Sequence, residues 1–152
     1  MKPKKILILG LGNILLGDEG VGVRIAEHLA SYSLPDEVEV IDGGTAGYEL
    51  LSFLEGRERV IIVDALKTED EPGAVYKMDL SILEDDVHMH LSLHQIGLKN
   101  VVKMASLMEI NPEVTLVGVV PKEYQDYKIG LSKEVEKAIP LVIETIFQEI
   151  GV

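Results

Sequence analysis

The chain has 152 residues, with 26 Asp and Glu against 14 Lys and Arg, a formal net charge of −12, and no cysteine. That length suits a single domain spanning residues 1–152, able to bury roughly two thirds of the surface its unfolded form exposes. Without cysteine there is no thiol nucleophile, thiolate metal site or iron–sulfur cluster, and the acidity repels a phosphate backbone, which sets nucleic acid aside as a partner and leaves cations and basic peptides.

Lys2, Lys4 and Lys5 precede the apolar run "KKILILG" (4–10) in imitation of a secretory signal. Asn13, three glycines, Asp18 and Glu19 then interrupt the pattern where a cleavage site belongs, so no leader and a cytoplasmic location are expected. No stretch reaches the roughly 18 apolar residues of a membrane span, so no membrane partner is expected either. The run itself reads as a buried strand.

The loop after it, "GLGNILLGDEGVG" (10–22), has the G-x-x-x-x-G spacing of a phosphate-binding loop from Gly12 to Gly17. Such a loop continues with Lys and Ser or Thr. This chain continues with Asp18 and Glu19, an inverted charge that would repel pyrophosphate and attract a cation.

A first helix follows, with Val21, Ile25 and Leu29 sharing a face with Gly22, Ala26 and Ala30, and Arg24, Glu27 and His28 outward. "VEVID" (38–42) is a strand that runs into "DGGTAG", and "GYELLSFLEG" fits a short helix. "RVIIVDA" (59–65) is a buried strand ending at Asp64. "AVYKMDL" (74–80) is a weaker edge strand that antiparallel pairing would suit.

A third helix sets Leu98, Val101, Val102, Ala105 and Met108 on one stripe, and "EVTLVGVV" (113–120) is a further buried strand. The last helix carries Val135, Ala138, Ile139, Val142, Ile143, Ile146, Phe147 and Ile150 at helical spacing. Ser132 suits its N-cap and Gly151 its stop, and Pro140 inside it predicts a bend near Glu136. Continuous apolar strands alternating with helices imply a three-layer α/β/α sandwich with a mainly parallel, twisted five-stranded sheet.

In such folds ligands bind beyond the carboxyl ends of the strands, where strand order reverses. Standing there are Asp18 and Glu19 after the first strand, Asp42 after the second, Asp64 at the end of the third, and His94 in "SLHQIGL" at the start of the third helix. Glu19 at a helix start gains from the helix dipole, and the same field keeps the His94 imidazole neutral with a lone pair to offer. Glu19, Asp64 and His94 therefore form a candidate metal site with room for water or substrate, suited to nickel, zinc, iron or manganese. Plainer roles compete at each position. Asp18 reads equally as a helix N-cap, Glu19 as a first-turn acid, Asp42 as a self-capping turn and His94 as a hydrogen-bonded structural residue. His88 and His90 in "DVHMHL" are a second metal-binding candidate.

The blocks "GLGNILLGDEGVGVRIAEHL", "VEVIDGGTAGYELL", "VIIVDA", "SLHQIGL" and "TLVGVVPKEY", in that order, resemble the hydrogenase maturation proteases. These endopeptidases trim the C-terminus of the large subunit of nickel–iron hydrogenases. The resemblance implies a metal site at the positions of Glu19, Asp64 and His94, and a role in cleavage or substrate contact for Asp42. Some relatives carry Pro where this chain has Leu93.

The resemblance also implies a checkpoint in which cleavage follows nickel insertion, so that the nickel belongs to the precursor, held by its cysteines, and other divalent metals can take its place. Catalysis then takes one of two forms: the metal polarises the peptide or its water, or it only positions the substrate while Asp42 or Asp64 acts as general base. The expected partner is the large-subunit precursor, and a monomer is favoured. The alternatives are a nickel chaperone or scaffold that does not cut, and a nucleotide-binding domain, which the absence of G-x-G-x-x-G spacing and the acidic pair oppose.

Overall fold

The strands alternate their side chains between two apolar layers, and that alternation organises the molecule. The computed structural model describes residues 3–47, 49–81 and 93–152, the side chains of residues 93–96 excepted. Five strands form one sheet: β1 (Ile6–Leu11), β2 (Val38–Gly44), β3 (Arg59–Ala65), β4 (Val75–Asp79) and β5 (Glu113–Val119), in the order β2-β1-β3-β5-β4. All pairings are parallel except β4 with β5, which is antiparallel at the edge, as the weaker pattern of residues 74–80 predicts.

Ile8, Ile61, Val63, Val117 and Val119 point to one face, where α1 (Val21–Leu29) and α4 (Lys133–Ile150) cover them. Leu7, Leu9, Val60, Ile62 and Leu116 point to the other, under α2 (Leu50–Leu54) and α3 (Leu93–Leu107). The result is the expected α/β/α sandwich.

Two glycines let α1 sit directly on the strand ends. A Cβ on Gly22 would lie 2.0 Å from the Val63 carbonyl oxygen and 2.3 Å from that of Leu11, and one on Gly10 would lie 2.2 Å from the Gly22 oxygen. The helix start is thereby pinned between β1 and β3, the point at which strand order reverses.

Local expectations differ from the structure in two places. Ala30 is exposed, because α1 ends at Leu29 and the chain turns there. Met108 is 58% exposed, because α3 ends at Leu107 and its inward stripe stops at Ala105. Pro140 lies within α4, a helix of 18 residues, and Pro140 and Glu136 are both exposed. Ser132 and Gly151 cap that helix as expected, Ser132 Oγ accepting from the Val135 amide and Gly151 adopting φ 78°. Among the described residues no helix is long and apolar enough to cross a membrane.

Candidate functional site

The glycine loop is closed to phosphate because its backbone donors are already spent. Gly12 N–H donates to the Gly44 carbonyl, Asn13 N–H to Glu19, Leu16 N–H to Asn13, Gly17 N–H to Lys128, Asp18 N–H to Glu123 and Glu19 N–H to Leu16. Leu15 N–H donates to the Asn13 side chain at 2.9 Å. A phosphate cradle needs those amides turned outward. Here they fold the loop onto itself and end it in a 3-10 turn, Gly17–Gly20, that leads into α1.

The two acids of that turn have separate fates. Asp18 is fully buried and accepts four hydrogen bonds: from the amides of Lys122 (2.9 Å), Glu123 (3.0 Å) and Ser132 (2.8 Å), and from the Ser132 hydroxyl (2.7 Å). It is not the cap of its own helix, which has no side-chain cap. It clamps the loop between β5 and α4, satisfying donors that would otherwise be buried alone.

Glu19 faces the rim. It precedes α1 instead of opening it, so its carboxylate is held directly by a cation rather than by the helix dipole: Lys67 Nζ lies 2.7 Å from Glu19 Oε1. The same ammonium stands 4.8 Å from the centroid of the Tyr124 ring. The 3-10 turn packs against β3, which brings Glu19 beside the strand that ends in Asp64 and Ala65.

Asp64 is 2% exposed, and its Oδ1 accepts the Ala65 amide at 2.8 Å. By strand alternation it falls on the face of Val60 and Ile62, the side that α3 covers. Asp42 is exposed and sits at a bulge, where β1 pairing jumps from Asp42 to Gly44. Its Oδ1 accepts the Gly44 amide at 2.9 Å while Gly44 takes φ 53°, which is the self-capping turn predicted from "DGG".

His94 is the second residue of α3. The helix ends at Leu107 and a short link delivers the chain to Glu113 at the amino end of β5, so α3 runs back along the sheet. Thirteen residues of helix cover about 20 Å, the length of a seven-residue strand, which carries the backbone of His94 toward the carboxyl edge. Its side chain, and all of His88 and His90, lie outside the described residues. Among the described residues no three histidine or acidic side chains gather closely enough to hold a metal.

The donor set nevertheless suits a cation. Glu19 already holds one in the form of the Lys67 ammonium, and a second carboxylate, Asp64, stands at the end of the strand against which its turn packs. Sequence reasoning passed over Lys67 and Tyr124. A lysine three residues beyond Asp64, on an edge otherwise lined with acids, is the signal that pointed to it. Beyond Tyr124, the loop 122–128 walls a cleft of about 480 Å³ that includes Tyr127 and Lys128. On that loop Lys128 is held above the usual lysine range by its hydrogen bond to Glu123.

A family model described as hydrogenase maturation protease matches residues 23–149. The hydrogenase 2 maturation protease of Escherichia coli is 41% identical over 150 residues, covering 93% of this chain and 88% of that protein. The hydrogenase expression/formation protein HupD of Rhodobacter capsulatus is 39% identical, over 98% of this chain and 72% of its own length. Among solved structures, the hydrogenase-maturating endopeptidase HybD from E. coli superposes with a TM-score of 0.82 at 39% identity, over 97% of this chain and 94% of that one. The nickel–iron hydrogenase maturation protease HybD from Thermococcus kodakarensis gives 0.76 at 30% identity, over 95% and 97%.

Proposed function

Because the chain belongs to the hydrogenase maturation protease family and is therefore a peptidase, we propose that it removes a C-terminal peptide from the precursor of a nickel–iron hydrogenase large subunit, in the cytoplasm, after nickel has been installed. One observation supports this most: Glu19, at the point where strand order reverses, is a carboxylate already occupied by a positive charge. In this reading Glu19, Asp64 and His94 receive the nickel that the precursor carries, which seats the scissile peptide at the sheet edge. The nickel is cargo of the substrate, and other divalent ions could fill the same place.

The chain's own residues then have distinct tasks. Asp64, buried and oriented by the Ala65 amide, is a fixed anchor. Asp42, exposed and aimed by the Gly44 amide, is suited to general base: it takes a proton from the water that attacks the peptide carbonyl and returns it to the departing amine. The cleft beside Tyr124 and Tyr127 offers a path for the tail to be removed.

The test is incubation of the protein with apo and with nickel-loaded precursor, followed by intact-mass measurement. Loss of a C-terminal peptide from the loaded precursor alone is the expected result. Equal cutting of both forms rules out the checkpoint, and stable binding without any mass loss identifies a chaperone or scaffold instead. Glu19→Gln is expected to slow cleavage at least about a hundredfold, and Asp42→Asn to slow it with precursor binding intact. An Asp42→Asn protein that cuts at the normal rate removes Asp42 from the general-base role.

A further inference from the structure

Lys67 lies two positions beyond β3, and its ammonium is held on two sides, 2.7 Å from Glu19 Oε1 and 4.8 Å above the Tyr124 ring. The Lys67 side chain is 43% exposed and that of Glu19 22%, so the pair sits at a wetted rim and can exchange without unfolding anything. A carboxylate in a protein of net charge −12 would otherwise collect cations from solution. Here the chain supplies its own.

We infer that Lys67 is a specificity-determining residue, a built-in competing cation that keeps free divalent ions off Glu19 and yields only to a metal delivered by the precursor. This role rests on Glu19 being a metal contact in the proposed function and extends it. A free aquated ion carries two positive charges, and to bond Glu19 Oε1 it must both displace the ammonium and sit beside it. Coulomb repulsion at a few ångströms penalises that arrangement even at a rim dielectric. A metal already wrapped in thiolates brings their negative charge with it, so the same lysine repels it little or attracts it. Lys67 thus turns one carboxylate into a sensor of how the metal arrives. Tyr124 is the positioning residue that holds the ammonium near Glu19 when no metal is present.

The experiment is calorimetric titration of nickel chloride into the intact wild-type protein and into Lys67→Gln, Lys67→Arg, Glu19→Gln, the Lys67→Gln/Glu19→Gln pair, and Lys103→Gln, an exposed lysine on α3 that controls for net charge. Lys67→Gln should bind free nickel about tenfold more tightly, Lys67→Arg should match wild type, and Lys67→Gln should bring no gain in the Glu19→Gln background. Wild-type affinity in Lys67→Gln, or an equal gain in Lys103→Gln, overturns the role of Lys67 while leaving Glu19 as a contact. If the Lys67→Gln/Glu19→Gln pair binds free nickel as tightly as Lys67→Gln alone, both that contact and the inference built on it are overturned. A thermal melt of each variant accompanies the titration, and since the Lys67 side chain is 43% exposed, all should fold.

Discussion

The two ends of the sheet treat charge in opposite ways. At the amino edge, Arg59 donates to the Glu149 carbonyl at 2.7 Å and to the Glu149 side chain at 3.1 Å, and pairs with Glu113 at 2.5 Å. Lys77 reaches the same Glu149 at 2.7 Å, and Arg57, only 6% exposed at its side chain, pairs with Glu39 at 2.7 Å. These pairs join different elements: β3 and β4 are tied directly to the end of α4, and β5 to β3 through Arg59. At the carboxyl edge, Asp42 and Asp64 take amides one or two residues ahead, and Glu19 pairs with Lys67 at a wetted rim. The amino-edge pairs of Arg57, Arg59 and Lys77 fasten elements to one another. Asp42, bound to the amide two residues ahead and exposed, is aimed at the open edge.

The contrast repeats at closer range between Asp18 and Glu19, adjacent residues of one turn, the first a buried clamp and the second a carboxylate paired with Lys67 at the rim. The largest predicted effect breaks this contrast on the structural side. Asp18→Ala strands the amides of Lys122, Glu123 and Ser132, and should cost about 4 kcal/mol, lowering the melting temperature by about 8–16 °C. Glu19→Gln should leave the melting temperature within about 2 °C of wild type, since a half-exposed pair at the wetted rim contributes little. Comparable melting losses in the two variants would mean that the turn does not divide its acids in this way.

Arg59→Leu tests the amino edge. Losing its bonds to Glu113 and Glu149 should cost about 1–2 kcal/mol, or about 3–6 °C, with cleavage unchanged at temperatures where the protein stays folded. A fall in cleavage that is not matched by unfolding would couple the two edges.

The smallest effect is in acid. The hydrogen bond from Tyr76 and, after it, the Glu71 amide hold the Asp70 carboxyl below its ordinary value. A group whose pKa is depressed by folding contributes stability that is complete above its unfolded value and is lost as pH falls through the folded one. Melting temperature measured from about pH 5 down to about pH 2 should therefore fall less steeply in Tyr76→Phe than in wild type. Parallel curves would remove that contribution.

Much of this was written in the sequence because strand and helix periods are local. Continuous runs of Ile, Val and Leu marked the buried parallel strands. The weaker 74–80 pattern marked the antiparallel edge, and Ser132 and Gly151 marked both ends of α4. Asp42 was legible for the same reason, its partner being two residues away.

What sequence could not decide was which distant groups each acid meets. Asp18 and Glu19 have the same chemistry and adjacent positions, and only the return of the loop after β5, more than a hundred residues later, buries one and leaves the other at the rim. The pairing of Lys67 with Glu19 likewise exists only because Gly10 and Gly22 let α1 and its preceding turn sit on the strand ends. Composition and periodicity are properties of the chain as a string, whereas burial and ion pairing belong to the surfaces that meet when it closes.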